Sequence, residues 1–329
     1  MTNTAWEEYW SGLQVGESCQ QGNMQVFALR HQMPPALDYL TLERALKAED
    51  GKHFSVEEVS PEGSVTELKV INRLKSPVLL VEGEILMGAK QNRTVHTTIL
   101  VNKKSKITIP VGCVEAGRWS RQPMGAFGLS DLYSHANLRY MKLRHVSGSR
   151  AAAGEGARQD LREAYPVDQA GVWEEVACFS DSGQTPSATC SAEEVYRKFR
   201  GKSTNWHEFS YPRDSSGIAV VIDGRLIGVE CFDRPDTLEK MFPRLIQSYI
   251  SEAMMRESCR EEILEKKVES AEVASLLRDV AKAKVASAPG VGLGEDLRAQ
   301  GEDWSAAVLT CQGSGLHGQI MLSGEMSQE

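Results

Sequence analysis

Short apolar runs, each ended by turn residues, dominate the chain between residues 53 and 114. Runs of strand length that are bounded by glycine, proline or serine are typical of antiparallel β-structure. The pattern predicts strands over 56–59, 67–72, 78–81, 85–89, 94–101 and 106–114. Glu82-Gly83 separates two of these runs and predicts a tight hairpin, because glycine takes a positive φ without steric cost.

Helix-spaced apolar positions lie on both sides of this β segment. They predict helices over 37–48, 129–145, 168–177 and 191–199, the last one opened by a Ser191…Glu194 capping box. The Ser/Gly/Ala-rich stretch 147–156 predicts a flexible loop.

The last third of the chain combines a hairpin, a long helical pattern and a closing hairpin. Strand patterns flank Asp223-Gly224 over 218–231, and a helix is predicted from Asp236 to about Ala286, kinked or restarted at Pro243. Two further strands, 306–311 and 316–322, surround Gly313-Ser-Gly315.

The segments 78–88 and 219–228 both place an acid and a glycine between apolar arms. An internal duplication would give two related β-units, whereas the favoured explanation is that acid-glycine hairpins generally look this way. The predicted fold class is α+β, with mainly antiparallel sheet, a long C-terminal helix packed on it and a closing hairpin. Three segments of one compact body are expected: 1–120 with a helix and a β-unit, 121–200 as a helical and flexible insertion, and 201–329 with the second hairpin unit.

Composition and charge restrict the class of function. The chain of 329 residues is 41% hydrophobic and 25% charged, as in ordinary globular proteins, and 37 basic against 45 acidic residues give a net charge of −8. An acidic balance disfavours nucleic-acid binding unless a local basic patch exists. The cations of 139–150 (Arg139, Lys142, Arg144 and Arg150) are the positions weighed for such a patch.

The apolar runs are too short for a membrane span, and the first residues lack a signal-peptide pattern, so a cytoplasmic protein without a membrane partner is expected. Seven dispersed cysteines without a CxxC pair indicate free thiols and no zinc site. No cofactor and no metal-ligand set are identified.

The densest polar segment is 83–93, with Glu84 near its start and Lys90, Gln91, Asn92 and Arg93 at its end. If this end is a strand, Gln91 and Arg93 share one face and Lys90 and Asn92 the other. Arginine offers a planar fork for phosphate, and the amides can orient a hydroxyl. The alternative, favoured on spacing alone, is a charged edge strand.

A carboxylate continues the apolar row of 107–115, since Glu115 shares the strand face of Val111 and Cys113. A desolvated Glu115 would act as a general acid or base, or would pair with a buried arginine such as Arg93 or Arg118, which is the more frequent outcome. Cys113 is expected to be a buried thiol rather than a nucleophile.

Gly292-Leu-Gly294-Glu295-Asp296-Leu-Arg298 has the glycines of a phosphate loop but not the lysine-serine ending of a P-loop. Glu295 and Asp296 together would hold a metal or a ribose hydroxyl, and the alternative is a loop that caps the preceding helix. His317, central in the last hairpin, is either a proton carrier or a packed, hydrogen-bonded histidine.

The strings Glu82-Gly-Glu-Ile-Leu-Met-Gly-Ala-Lys-Gln-Asn-Arg93 and Ile109-Pro-Val-Gly-Cys-Val-Glu-Ala-Gly-Arg-Trp119 resemble the signature of the ARG and rhodanese-phosphatase-superfamily-associated protein domain family. Shorter matches follow at 168–173, 228–232, 292–298 and 317, so the resemblance covers most of the chain from Val78 onward. It implies a place beside ADP-ribosylglycohydrolases and rhodanese-phosphatase proteins, in the metabolism of ADP-ribose or NAD-derived nucleotides.

The resemblance gives site positions but no established catalytic residue. The expected catalytic positions are Glu84, Glu115 and His317; the expected ligand-binding positions are Lys90, Gln91, Asn92, Arg93, Arg118, Glu230, Glu295, Asp296 and Arg298. In this hypothesis the arginines hold phosphate, the amides orient the ligand, and Glu84 or Glu115 serves as acid or base.

The functional hypothesis is binding of an ADP-ribose or NAD-derived phosphorylated ribose compound in a polar pocket, with hydrolytic or transfer chemistry as its extension. The alternative is a non-catalytic adaptor that docks to a partner enzyme, in which these side chains form structural ion pairs. Nucleic-acid binding ranks last, because the global charge opposes it.

Overall fold

A computed structural model describes residues 3–31, 35, 37–115, 117, 126–153, 160–185, 191–200, 209–258 and 266–323. Its helices are α1 Thr4–Ser11, α2 Leu42–Lys47, α3 Ala136–Ala153, α4 Leu161–Ala164, α5 Gln169–Ser182, α6 Ala192–Arg200, α7 Pro235–Ser258 and α8 Ser270–Ala281, with a 3₁₀ turn at Ala48–Gly51. No helix among these residues is long and apolar enough to cross a bilayer.

The strands are β1 Leu13–Gln21, β2 Met24–His31, β3 Leu40–Thr41, β4 Phe54–Glu58, β5 Glu67–Asn72, β6 Val78–Leu80, β7 Glu84–Met87, β8 Arg93–Val95, β9 Ile99–Val101, β10 Ser105–Cys113, β11 Gly128–Tyr133, β12 Gly217–Ile222, β13 Arg225–Phe232, β14 Ala286–Pro289, β15 Glu295–Gln300, β16 Trp304–Cys311 and β17 Ser314–Leu322.

The largest sheet has eight strands in the order β1-β2-β12-β13-β17-β16-β15-β14, so it joins residues from both ends of the chain. A six-stranded sheet follows the order β11-β7-β8-β10-β5-β4, and a three-stranded sheet the order β3-β6-β9. All pairings are antiparallel except β3 with β6, and the predicted α+β class with mainly antiparallel sheet is confirmed.

The two acid-glycine turns behave differently. Asp223-Gly224 joins β12 to β13 in a true hairpin, as predicted. Glu82-Gly83 also reverses the chain, with the Glu84 N–H donating to the Val81 carbonyl at 3.1 Å, but its arms pair in different sheets. The predicted 78–88 hairpin is therefore wrong, because a turn sequence specifies a reversal and does not specify the partners of the strands it joins.

The predicted helix from Asp236 to Ala286 is also wrong as one element. Helix α7 includes Pro243 and is described as far as Ser258; residues 266–269 are not helical, and α8 begins only at Ser270. Just before α8, the backbone of Val268 exchanges hydrogen bonds with the side chain of Gln25, and Glu269 caps the helix. Tertiary contacts thus interrupt a sequence whose local propensity is helical.

The stretch expected to be a flexible loop begins instead as the end of α3, which runs to Ala153; residues 154–159 lie outside the described part. Ser147 and Arg150 are buried there against the large sheet, so packing holds this small-residue sequence in a helix. The predicted helix over 129–145 starts later than expected, because β11 occupies residues 128–133.

The first strands and α1 were not predicted, and they complete the apolar side of the large sheet. Trp6, Tyr9 and Trp10 of α1 are fully buried there together with one face of α8. Gly318 on β17 is required by this packing, since a Cβ at that position would lie 2.2 Å from the Tyr9 ring. Helices α3 and α7 cover the opposite face.

Candidate functional site

One face of α3 carries three cations into the interior of the protein. Arg139, Lys142 and Arg150 follow at helical spacing and are 0%, 2% and 6% exposed. Helix α3 packs on β15, β16 and β17, so these cations meet the polar side chains of the large sheet. They are not accessible to a nucleic-acid backbone, and the basic patch considered from the sequence is wrong as a surface feature.

Arg139 and Glu230 form a fully buried ion pair at the centre of this region. The Arg139 guanidinium also lies over the rings of Tyr133 and Tyr249, at 5.2 and 5.0 Å from their centroids. His317 lies on β17 next to Glu230, with Nε2 3.0 Å from Glu230 Oε2 and Nδ1 2.8 Å from Thr98 Oγ1. Because the Glu82 N–H donates to the same Thr98 hydroxyl, that hydroxyl can donate to His317 Nδ1.

Glu82 is a fully buried carboxyl in the turn before β7. Its Oε2 accepts a hydrogen bond from Gln319, and its backbone carbonyl accepts one from the Tyr133 hydroxyl. Burial raises the pKa of Glu82, which favours its protonated form, while Lys142 and Arg298 oppose this shift.

A small cavity, here called the inner chamber, lies at this point. Its volume is about 10 Å³, the size that holds one water molecule. Among the described residues, Glu82 Oε1 and Gln319 Oε1 at this chamber have no hydrogen-bond partner, and neither has the nearby Arg298 Nη1. The inner chamber is lined by Glu82, Thr97, Thr98, Asp296, Ala307, Leu309, His317 and Gln319.

Asp296 and Arg298 belong to the same polar face of β15. Asp296 Oδ2 lies 3.0 Å from Arg298 Nε and 3.0 Å from Arg150 Nη2, and it accepts a 2.9 Å hydrogen bond from Tyr165. Arg298 Nη2 donates to Thr97 Oγ1 at 2.7 Å. The predicted phosphate-binding arginine is therefore already held by protein groups.

A larger cavity of about 300 Å³, here called the outer cavity, has Lys142 in its wall. It is lined by His96, Tyr140, Met141, Lys142, Arg144, His145, Asp168 and Val172. His145 and Asp168 are exposed, so the cavity reaches the surface, whereas Lys142 and His96 are buried at its wall. Arg144, Lys142 and the two histidines offer nitrogen donors, and Tyr140 offers one aromatic ring, which suits a small anionic ligand even with the acidic Asp168 in the lining.

Lys142 Nζ donates hydrogen bonds to the Val95 carbonyl at 3.0 Å and to Thr94 Oγ1 at 3.3 Å. Burial lowers the pKa of Lys142 to about 8. Burial also lowers the pKa of His96, whose Nε2 lies 3.0 Å from the Pro166 carbonyl. A carbonyl can only accept, so His96 carries its proton on Nε2 and leaves Nδ1 as an acceptor.

The structure brings four predicted positions together around the inner chamber: Glu230, Asp296, Arg298 and His317. Glu84 is buried close to them, with Oε1 2.9 Å from Arg244 Nη2 and Oε2 accepting from the Val81 N–H. Burial raises the pKa of Glu84. Glu295 instead is exposed on the opposite side of β15, so it cannot share a ligand with Asp296.

The other predicted positions form a second hydrogen-bonded group. Gln91 Oε1 accepts from Arg93 and from the Cys113 thiol, and its amide nitrogen donates to the Glu115 carbonyl. The Asn92 N–H donates to Glu115 Oε2 at 3.2 Å. The expected burial of Glu115 is confirmed. Arg118 lies outside the described residues.

The expected strand geometry of Lys90 to Asn92 is wrong, and so is the alternative of an exposed edge. These residues lie in a loop between β7 and β8, because Gly88 and Ala89 take φ values of 124° and 45°. Lys90, Gln91, Asn92 and Arg93 are nevertheless at most 6% exposed. The helix-capping alternative for 292–298 is wrong as well, since Glu295 opens strand β15 and α8 already ends at Ala281.

The sequence interpretation missed Glu82, His96, Lys142 and Gln319 as site residues. The available signal was the helical spacing of Arg139, Lys142 and Arg150 among Leu143 and Val146, which places cations on the buried face of α3. In the described part of the chain, no group of three or more His, Cys, Asp or Glu side chains is placed to hold a metal ion.

The comparisons with known proteins give one family match over most of the chain. A family described as "ARG and Rhodanese-Phosphatase-superfamily-associated Protein domain" matches residues 12–321, from β1 to β17. No curated protein and no solved structure matches the chain significantly. The match includes every residue of the inner chamber and of the outer cavity, and the chain belongs to the ARG and rhodanese-phosphatase-superfamily-associated protein domain family.

Proposed function

We propose that the protein binds ADP-ribose or a related NAD-derived phosphorylated ribose compound in the outer cavity and processes it there. The observation that carries this proposal is a buried lysine, Lys142, at the wall of a cavity that reaches the surface. Arg144 and His145 at the same cavity add nitrogen donors for a phosphate; Arg144 Nη1 donates to the Gly301 and Glu302 carbonyls, and within the described residues its other guanidinium nitrogens remain for a ligand. The family association with ARG and rhodanese-phosphatase proteins supports the choice of ligand class.

The size of the cavity restricts which part of the ligand it encloses. Its volume of about 300 Å³ is at the lower end of the range for small-molecule sites. This favours one phosphorylated ribose inside, with the remainder of a larger nucleotide at the mouth. Tyr140 lies at the cavity and offers a ring face there.

The chemistry available at the cavity is proton transfer. His96 is a neutral imidazole with an acceptor nitrogen, and Glu82 is a buried carboxyl whose raised pKa favours the acid form. Lys142 lies close enough to Glu82 for their charges to interact. His96 and Lys142 line the outer cavity, and Glu82 lines the inner chamber and interacts with Lys142. A base, an amine and a neighbouring acid are suitable for reactions at the sugar carbon of a phosphorylated ribose.

Isothermal titration with ribose 5-phosphate, ADP-ribose and inorganic phosphate tests the proposal. Binding by wild-type protein should weaken in Arg144→Ala and His145→Ala, which remove cavity donors at the accessible end. Arg278→Ala, an exposed charge on α8, is the matched control and should bind like wild type. Thermal unfolding gives a second readout, since ligand at 100 times its Kd adds about 2.7 kcal/mol. Absence of binding by all three compounds would refute the proposal.

The adaptor hypothesis has one specific observation in its favour. Trp173 on α5 is 37% exposed and is the large apolar side chain left exposed among the described residues. Exposed tryptophans are enriched at the centres of protein interfaces. Sedimentation of the protein with an ADP-ribosylglycohydrolase, comparing wild type with Trp173→Ala, tests this role. Loss of co-sedimentation with unchanged ligand titration supports the adaptor, and the absence of any complex with wild type opposes it.

A further inference from the structure

We propose that Lys142 is a nucleophile that forms an imine with the open-chain aldehyde of a reducing phosphosugar in the outer cavity. The inference rests on the proposed function of that cavity and names its substrate class: a phosphorylated sugar whose anomeric carbon is free. ADP-ribose and ribose 5-phosphate belong to this class, and NAD does not, because its anomeric carbons carry bases.

The surroundings of Lys142 favour the neutral amine. The side chain is 2% exposed, and its hydrogen-bond partners, the Val95 carbonyl and the Thr94 hydroxyl, are both uncharged. Within the described residues, no carboxylate forms a salt bridge with it. A buried ammonium without a carboxylate partner is costly, so the lysine tends to lose its proton instead.

Two neighbouring cations add to this effect. Burial is the largest cause of the low pKa of Lys142; the charge of Glu82 opposes it, and Arg139 and Arg298 lower the pKa further. The resulting value of about 8 leaves about half of the amine neutral at that pH. An ordinary lysine with a pKa of about 10.4 is almost fully protonated there, so Lys142 holds on the order of 100-fold more neutral amine. Desolvation of this kind is a known way to activate a lysine for Schiff-base chemistry.

His96 and Glu82, which interact electrostatically with Lys142, can serve the proton transfers. His96 lines the same cavity, and its Nδ1 has no hydrogen-bond partner among the described residues. Its lone pair is therefore not occupied by a donor from the described part of the protein, and its lowered pKa suits a group that takes up a proton only transiently and passes it on. Glu82 is buried and interacts electrostatically with Lys142, and its raised pKa allows it to supply a proton.

The step balances without an oxidant or reductant. The lone pair of Lys142 Nζ attacks the aldehyde carbon, and the proton lost by nitrogen passes through His96 to the former carbonyl oxygen, giving a carbinolamine. Glu82 protonates the hydroxyl, which leaves as water while the nitrogen lone pair forms the C=N bond. Loss of the second N–H proton and reprotonation of Glu82 complete an imine plus one water.

Reductive trapping with the full chain tests this inference. Wild-type protein is incubated at pH 8 with ribose 5-phosphate and cyanoborohydride, and the adduct is located by intact mass and peptide mapping. The expected product is a single adduct on Lys142 with the ligand mass less one oxygen, formed on the order of 100-fold faster than adducts on exposed lysines. Lys142→Met and Lys142→Arg should lose this adduct, and Lys282→Met, an exposed control, should keep it.

A blocked ligand separates failure of this inference from failure of the proposed function. The methyl furanoside of ribose 5-phosphate has no free aldehyde, so it should bind in titration but give no adduct. If both ligands bind and wild-type peptides show no adduct on Lys142, imine formation is refuted and the proposed binding function stands. If neither ligand binds, the proposed function itself fails. The wild-type peptide map needs no variant, so a folding defect in Lys142→Met does not affect this conclusion.

Discussion

The same strands of the eight-stranded sheet carry apolar side chains on one face and several buried polar side chains on the other. On β13, Val229 and Cys231 point into the apolar core, while Glu230 between them points toward α3. On β17, Ile320 lies on the apolar side, and His317 and Gln319 lie on the polar side. Strand alternation alone produces this division, because successive side chains point to opposite faces.

The apolar face is built for stability. Trp6, Tyr9 and Trp10 fill it, and two of them satisfy their polar atoms inside the core. The Trp6 indole donates to the Val280 carbonyl at 2.8 Å, and the Tyr9 hydroxyl donates to the Cys231 carbonyl at 2.6 Å. Aromatic burial of this extent contributes much of the stability of a domain.

Burying charged side chains on the polar face costs more free energy than burying apolar ones. This face buries Glu82, Glu230 and several cations, although a buried ion pair seldom stabilises more than apolar packing of the same volume. Some of its polar atoms have no partner among the described residues, as Glu82 Oε1 shows. The face under α3 and α7 also contains a large apolar cluster, which includes Ile218, Val220 and Leu245, so both faces stabilise the fold. The difference is that, among the described residues, only this face also keeps a group of reactive side chains out of water, as expected of a functional site.

The largest effect should come from the apolar face. We expect Trp10→Ala to lower the free energy of unfolding by about 3–5 kcal/mol, because a fully buried indole leaves a cavity. Chemical denaturation with fluorescence or circular dichroism measures it. The control is Trp173→Ala at a 37% exposed position, which should lose no more than about 1 kcal/mol. Equal losses in the two variants would contradict the stabilising role assigned to this face.

On the polar face, Glu230→Gln should cost about 3 kcal/mol, because it leaves the Arg139 charge buried without its partner. Arg139→Met should cost less, since Glu230 retains its hydrogen bond with His317. Urea unfolding of both single variants and of the double variant measures the difference. If the loss of unfolding free energy in the double variant equals the sum of the losses in the two single variants, the two residues are not coupled.

The pH dependence of the free energy of unfolding tests whether Lys142, on the polar face, is removed from water. Its pKa is lowered from an ordinary 10.5 to about 8, so between these values the unfolded chain binds more protons than the folded chain. The free energy of unfolding should therefore rise with pH in this window, by at most about 1.4 kcal/mol per pH unit. Below pH 8 the burial penalty is present in full.

Unfolding curves from pH 7 to 10.5 check this slope. The slope of wild type minus that of Lys142→Met isolates the contribution, because the other titrating groups are common to both proteins. Lys282→Met, which removes an exposed lysine, should keep the wild-type slope. Identical slopes for wild type and Lys142→Met would mean that Lys142 is not desolvated.

The smallest effect is expected at Glu295, which the sequence places beside Asp296 and the structure places on the other side of β15. Glu295→Ala should change the free energy of unfolding by no more than about 0.5 kcal/mol and leave ligand titration unchanged. Asp296→Ala, which removes the partner of Arg150 and Arg298, should destabilise clearly. Weaker ligand binding by Glu295→Ala would contradict the assignment of the ligand site to the other side of β15.

Local patterns predicted many elements well. Strand β5 has the predicted bounds of residues 67–72, and α6 starts at Ala192, directly after the predicted cap residue Ser191. The predicted strand over 94–101 is divided into β8 and β9, which belong to different sheets. Local alternation is the same in both pieces, so only the pairing reveals the break.

The candidate site was predictable in part. Glu230, Asp296, Arg298 and His317 were all selected from the sequence, and the structure places them in one region. Their partners Glu82, Arg139 and Lys142 were not selected for it, because the contacts join residues far apart in the chain. Arg93 and Glu115, expected at the same pocket, instead form hydrogen bonds with the Gln91 and Asn92 loop.

The sequence by itself determined the strand alternation, the turns and the buried face of α3, because these follow from the period of side chains along a regular backbone. Tertiary structure decided which turn became a hairpin and which charges share a cavity. Helix α3 packs on the large sheet, and this packing places Lys142 near Glu82 and Arg139 against Glu230. Such contacts depend on how separate elements are packed in space, which the residue period does not encode.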